Sequence, residues 1–210
     1  MNRKMICRIL GNILIFESII MLLPFLVSII YKEHTAIYFI ITSIISFTIG
    51  YILAHLKTEN KHIYAKEGFL TVGLAWIVIS FFGALPFVFN GAIPSFIDAF
   101  FETSSGFTTT GASILTEIQS LPKGILFWRS FTHWVGGMGF LIFILALMPS
   151  FGGNTIHLLK AESPGPTPGK IVPKIKQTAK ILYAIYFVLT VIETIFLKSL
   201  FVPKRSSIFR

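Results

Sequence analysis

Pro94-Ser95-Phe96-Ile97-Asp98-Ala99-Phe100-Phe101-Glu102-Thr103-Ser104-Ser105-Gly106-Phe107-Thr108-Thr109-Thr110-Gly111-Ala112 is the stretch that decides the fold. Ser95 ahead of Asp98 reads as a helix start: the hydroxyl accepts an orphan N–H, and the carboxylate suits the positive end of the helix dipole. Gly106 is a residue on which such a helix is expected to end. About eleven residues at 1.5 Å each give roughly 16 Å, half of a bilayer's hydrocarbon core. The stretch is therefore expected to form a re-entrant half-helix followed by a non-helical strand.

That expectation requires a membrane, and the composition supplies one. Of 210 residues, 54% are hydrophobic and only 13% are charged, with a mean hydropathy of +0.78. Soluble domains carry about 25% charged residues because they must face water. Five apolar runs, at 9–30, 36–56, 69–89, 125–148 and 181–200, are each near the roughly 20 residues that a spanning helix needs. The half-helix falls between the third and fourth. The expected fold class is all-α integral membrane. A two-helix extension at 1–60 precedes a span, half-helix and span at 61–150, a linker at 151–178 and a further span at 179–210.

The net charge of +9 does not point to nucleic acid, because the basic residues sit in short segments between apolar runs. Eleven of the eighteen Lys and Arg fall at the N-terminus and in the 57–67 and 150–180 loops. Those parts are expected to be cytoplasmic, and the 90–124 segment then opens to the outside. The linker contains Pro164-Gly165-Pro166-Thr167-Pro168-Gly169, a run of turn formers. Cys7 is the one cysteine, so no internal disulfide forms, and it is read as a small hydrophobe. The basic leader before the first apolar run has no small-residue cleavage site after it, so the run is expected to be a retained span.

Thr108, Thr109, Thr110 and Gly111 are the candidate ion-binding residues. Backbone at membrane depth without ladder partners costs several kcal/mol per group in lipid and is tolerated only where protein or water satisfies it. A dehydrated cation gives a reason for such backbone, since carbonyl oxygens replace its hydration shell. The plainer reading, a Thr-rich outer loop flanked by glycines, stands beside this one. Glu102 and Gly106 are candidate filter supports; an intramembrane carboxylate is expensive, and bracing the strand through backbone N–H groups is the expected role of Glu102. Asp98 is read as a cap. Arg129 is expected to snorkel or to pair with Glu102 or Glu117. Trp128 and Trp134 suit an interface belt. Gly136, Gly137 and Gly139 allow a gating bend or plain close packing. His133 is read as a packed interfacial residue rather than a proton relay. Glu17 and Glu193, each alone in an apolar span, have open roles. No catalytic or metal-binding constellation appears, so an intramembrane enzyme is the weaker alternative.

Several further stretches join these: Lys66-Glu67-Gly68-Phe69-Leu70, Gly83-Ala84-Leu85-Pro86-Phe87, Ser120-Leu121-Pro122, Phe127-Trp128-Arg129, Trp134-Val135-Gly136-Gly137-Met138-Gly139, Ala161-Glu162-Ser163-Pro164-Gly165-Pro166 and Thr178-Ala179-Lys180. In this order the chain resembles the N-terminal part of TrkH-type subunits of the Trk/Ktr/HKT superfamily of potassium transporters. The resemblance implies a pore of four repeats, each a helix, a half-helix with filter, and a helix, preceded by two extra helices. By that pattern the chain holds the extra helices, one full pore repeat and the first helix of a second. A filter of this kind is built from four strands, of which this chain carries one, so a truncated non-conducting subunit is the alternative. The resemblance also implies K+ at Thr108 to Gly111 as the transported ion, Na+ or H+ as candidate coupling ions, and no covalent cofactor. It further implies the lipid bilayer of the plasma (inner) membrane as surroundings, a cytoplasmic TrkA-like ring of nucleotide-binding regulatory subunits as partner, and a homodimer in the full-length form.

Overall fold

The structure, a computed structural model, describes residues 2–57, 65–139 and 172–201, the side chains of residues 65, 172–180 and 201 excepted. Its elements are α1 (Arg3–Ile20), α2 (Leu22–Ile30), α3 (Ala36–Ala54), α4 (Ala65–Phe89), α5 (Phe96–Phe107), α6 (Lys123–Gly137) and α7 (Val172–Phe201). Among the described residues there is no strand. The chain divides into two units, Met1–Thr167 and Pro168–Arg210, the second carrying α7.

Pro24 explains why the first apolar run is two helices. It has no N–H to give to the carbonyl of Ile20, and its ring crowds that carbonyl, so the helix breaks at Met21. Together α1 and α2 still form one stretch, Arg3–Ile30, long and apolar enough to cross a membrane, as are Ala36–Ala54, Lys66–Phe89 and Ile181–Leu200. The expected fourth span at 125–148 is seen only as α6, 15 residues long, and 140–148 lie outside the described residues, as do 58–64, most of the linker, and 202–210.

α1 and α3 lie antiparallel with their backbones nearly touching. A Cβ on Gly11 would stand 2.5 Å from the amide N of Ala54, and one on Gly50 would stand 2.8 Å from the carbonyl O of Gly11. Lipid gives no hydrophobic drive between helices, so this close approach of small residues is what holds such a pair. The hydroxyl of Ser43 crosses it to the carbonyl of Ser18 at 2.8 Å. α4 packs on α1 and on α5, and α5 packs on α6. Ile30, Ile44, Ile52, Phe69 and Ile77 remain mostly exposed, the surface of a helix bundle solvated by acyl chains rather than water. Each side chain described in α7 from residue 181 to 200 is exposed or half-buried within this chain.

Two polar ties mark the ends of the first unit. At one end the backbone N–H of Asn2 donates to Glu67, at the start of α4. At the other, Glu33 in the α2–α3 loop accepts from the N–H groups of Lys123 at 2.6 Å and Gly124 at 2.9 Å. α6 begins at Pro122, which has no side chain to cap it, and Glu33 fills that role from 90 residues away. Gly124 fits there because a Cβ would fall 1.9 Å from the hydroxyl of Ser28.

Candidate functional site

α5 starts where the sequence places it. Ser95 is extended, its hydroxyl accepts from the N–H of Asp98 at 3.4 Å, and Asp98 sits in the first turn. The helix has 12 residues, about 18 Å of rise, so it reaches roughly the middle of a 30 Å apolar core. Its end differs from the expectation. Gly106 lies within the helix, and the left-handed residue is Thr109, at φ +56°. The N–H of Thr110 bonds the carbonyl of Ser105 at 2.9 Å and that of Thr109 bonds Gly106 at 3.0 Å, the paired contacts of a Schellman cap. A β-branched residue in this region is strained by about 1–2 kcal/mol, so surrounding contacts hold it there. Gly111 is also left-handed, at φ +76°.

Gly106 and Gly136 serve close packing. A Cβ on Gly106 would lie 2.3 Å from the hydroxyl oxygen of Thr132, and one on Gly136 would lie 2.2 Å from the carbonyl oxygen of Phe107. The end of α5 is thus seated directly on α6. Gly137 is the last residue of α6, and Gly139 turns left-handed at φ +64°. The glycine cluster here combines a contact point with a helix end.

From Thr108 the chain is non-helical and exposed through Ile114. Among the described residues, no hydrogen bond reaches the carbonyl oxygens of Thr108, Thr109, Thr110 or Gly111. The side chains turn the other way. The Thr108 hydroxyl donates to the carbonyl of Ser104 at 2.8 Å and lies 2.8 Å from the Thr110 hydroxyl. Having one proton, already given, Thr108 accepts and Thr110 donates. Just beyond, the strand is pinned: the Ser105 hydroxyl donates to the carbonyl of Ala112 at 2.6 Å.

Glu102 supplies the second pin. It is fully buried, and its carboxylate accepts from the Ser113 hydroxyl at 3.0 Å, the Ile114 N–H at 3.0 Å and Arg129 Nε at 2.6 Å. Of the two expected partners for Arg129, the structure brings Glu102 to it. Ser105, Ser113 and Thr132, which sequence reasoning did not assign, complete the surroundings, and Glu33 caps α6. Ser105 and Ser113 flank the Thr-rich run and so carried a local signal; Thr132 and Glu33 did not. Trp128 corrects an expectation. It is fully buried, donates its indole N–H to the carbonyl of Gly83 at 2.9 Å, and meets the Phe107 ring edge-on, so it is core and not part of an interface belt. His133 is half-buried, its Nδ1 2.9 Å from the carbonyl of Arg129.

Residues 34–208 match the family described as "TrkH: Cation transport protein". The chain belongs to the TrkH family. It is 42% identical over 194 residues to the Trk system potassium uptake protein TrkH of Salmonella typhimurium, covering 91% of this chain and 40% of that protein. With TrkG of Escherichia coli K12 it shares 32% identity over 189 residues, 89% of this chain and 39% of the relative. The crystal structure of the potassium transporter TrkH from Vibrio parahaemolyticus is similar at a TM-score of 0.72 and 34% identity, covering 91% of this chain and 38% of that one. The chain therefore spans about two fifths of the length of the relatives it matches. Membership agrees with the all-helical membrane fold, and the family itself is described as one of cation transport proteins.

Proposed function

We propose that residues Thr108 to Gly111 line a potassium-ion pathway as one strand of a larger pore, and that the chain takes part in potassium uptake. The observation that carries this reading is the row of four carbonyls without hydrogen-bond partners among the described residues, at the end of a helix about half as long as a bilayer's apolar core is thick. In lipid those oxygens would be unsatisfied; facing a dehydrated cation they are matched. The negative end of the α5 dipole points to the same place and favours a cation. The relatives named for potassium uptake supply the ion.

In this reading Glu102 braces the strand through Ser113 and Ile114, and Gly106 lets the half-helix sit on α6. Gly136, Gly137 and Gly139 are the candidate gating positions behind it. The N-terminus faces the cytoplasm of a plasma (inner) membrane by the basic-residue bias; the partners are a cytoplasmic TrkA-like nucleotide-binding ring and, in the full-length form, a second copy. Na+ or H+ is the coupling ion to be tested.

The experiment is potassium and sodium uptake by the intact transporter with Gly111→Ser. A side chain at φ +76° is strained although space around it is open, so the strand must turn. The expected outcome is loss of potassium over sodium discrimination; unchanged discrimination removes the filter assignment.

A further inference from the structure

Glu17 takes no part in the strand or its support. It lies inside the apolar run of α1, is fully buried, and among the described residues neither carboxyl oxygen has a hydrogen-bond partner. Its Oε1 rests against Gly83: a Cβ there would come within 3.3 Å of it, 2.8 Å of the Thr103 methyl and 3.1 Å of the Phe107 ring. One absent side chain is thus where the carboxyl of α1 meets the half-helix that leads into the strand. Ser46 on α3 has a second buried oxygen without a partner. It lies between Ser43, which bonds Ser18, and Gly50, which abuts Ile15, and so stands at the level of Glu17.

An ionised carboxylate sealed from water without a donor is not held in an apolar interior; it is neutralised or takes a counter-ion. Among the described residues, no charge faces it from the helices packed on α1. α2 has no titratable residue. On α3, Tyr38, Tyr51 and His55 lie near the helix ends, with His55 against the carbonyl of Tyr51. On α4, Lys66 and Glu67 lie at the far end, Glu67 bonded to Asn2. Across Gly83, Glu102 of α5 is committed to Arg129, Ser113 and Ile114. The other hydroxyls nearby are engaged as well: Ser18 with Ile15, Thr42 with Tyr38, Ser43 with Ser18. A bare alkali ion asks for a shell of several oxygens, and among the described residues the buried side-chain oxygens without a partner here are those of Glu17 and Ser46. A proton fits that inventory.

We propose that Glu17 is a protonation site, separate from the ion strand, whose carboxyl holds a proton in the packing of α1 against Gly83 of α4. The site stands without the potassium reading; only its bearing on the filter, through Thr103 and Phe107, rests on it.

The test is infrared spectroscopy of the chain in phosphatidylcholine vesicles. At neutral pH a carboxylic-acid C=O band is expected that is lost in Glu17→Gln and shifted in Gly83→Ala, whose added methyl presses on the carboxyl. No difference between the native chain and Glu17→Gln overturns the proposal. A band that appears only when sodium and potassium are withdrawn also overturns it, in favour of an alkali-ion site. Should Glu17→Gln not fold, Gly83→Ala decides: an unshifted band breaks the link to α4. These spectra require no transport, so their failure is distinct from unchanged ion discrimination in Gly111→Ser.

Discussion

Glu102 and Glu17 are equally deep and oppositely placed. The first has three donor groups, one of them a guanidinium; the second has none. Glu17 is the one acid of α1, and Glu102 shares α5 with the capping Asp98, but hydropathy says nothing of the partners of either. The difference lies in their neighbours further along the chain. Glu102 precedes a strand whose N–H and hydroxyl groups turn back to it, whereas Glu17 is enclosed by helices whose backbone groups are already paired. One carboxyl ties two segments together through its donors; the other is packed without any among the described residues.

The largest expected effect sharpens that contrast. Glu102→Ala leaves a mostly buried Arg129 without its partner and should cost about 3–5 kcal/mol, read as loss of thermal stability in detergent together with loss of uptake by the intact transporter. If the loss is under about 1 kcal/mol, the typical scale of an exposed pair, Glu102 is not the strut described. Next is Gly136→Ala, which sets a methyl against the Phe107 carbonyl and should cost about 1–3 kcal/mol. Gly106→Ala should cost less, because the obstacle is a rotatable Thr132 hydroxyl; the reverse order would show that α5 shifts more readily than Thr132. Glu33→Ala removes a cap and should cost about 0.5–2 kcal/mol, measurable as earlier hydrogen exchange at Lys123 and Gly124. Smallest is Glu17→Gln, expected to change stability by less than about 1 kcal/mol, the net worth of a neutral hydrogen-bonding group. A large destabilisation there would make Glu17 a charged strut like Glu102 and erase the comparison.

Local rules govern what is legible in the sequence. The Ser95 cap, the half-length of α5 and the spans follow from neighbours within a turn and from run length. Arg129 can be narrowed to two carboxylates and no further, since both lie on the approach to α6. Three features escape local reading, each for a physical reason. The Glu33 cap joins residues 90 apart, and nothing local to either announces it. Trp128 suits an interface by residue type, while its burial depends on Gly83 offering a carbonyl. The left-handed position goes to Thr109 rather than Gly106 because backbone preference ranks glycine first, whereas the packing of α5 on α6 demands the smallest residue at Gly106.

The seat of Phe107 on Gly136 has a mechanical consequence. Backbone meets backbone there with no side chain between to bend or rotate, so the joint has no slack. A displacement of α6 at Gly136 therefore bears on the Phe107 carbonyl, one residue before Thr108, with no side chain between to absorb it.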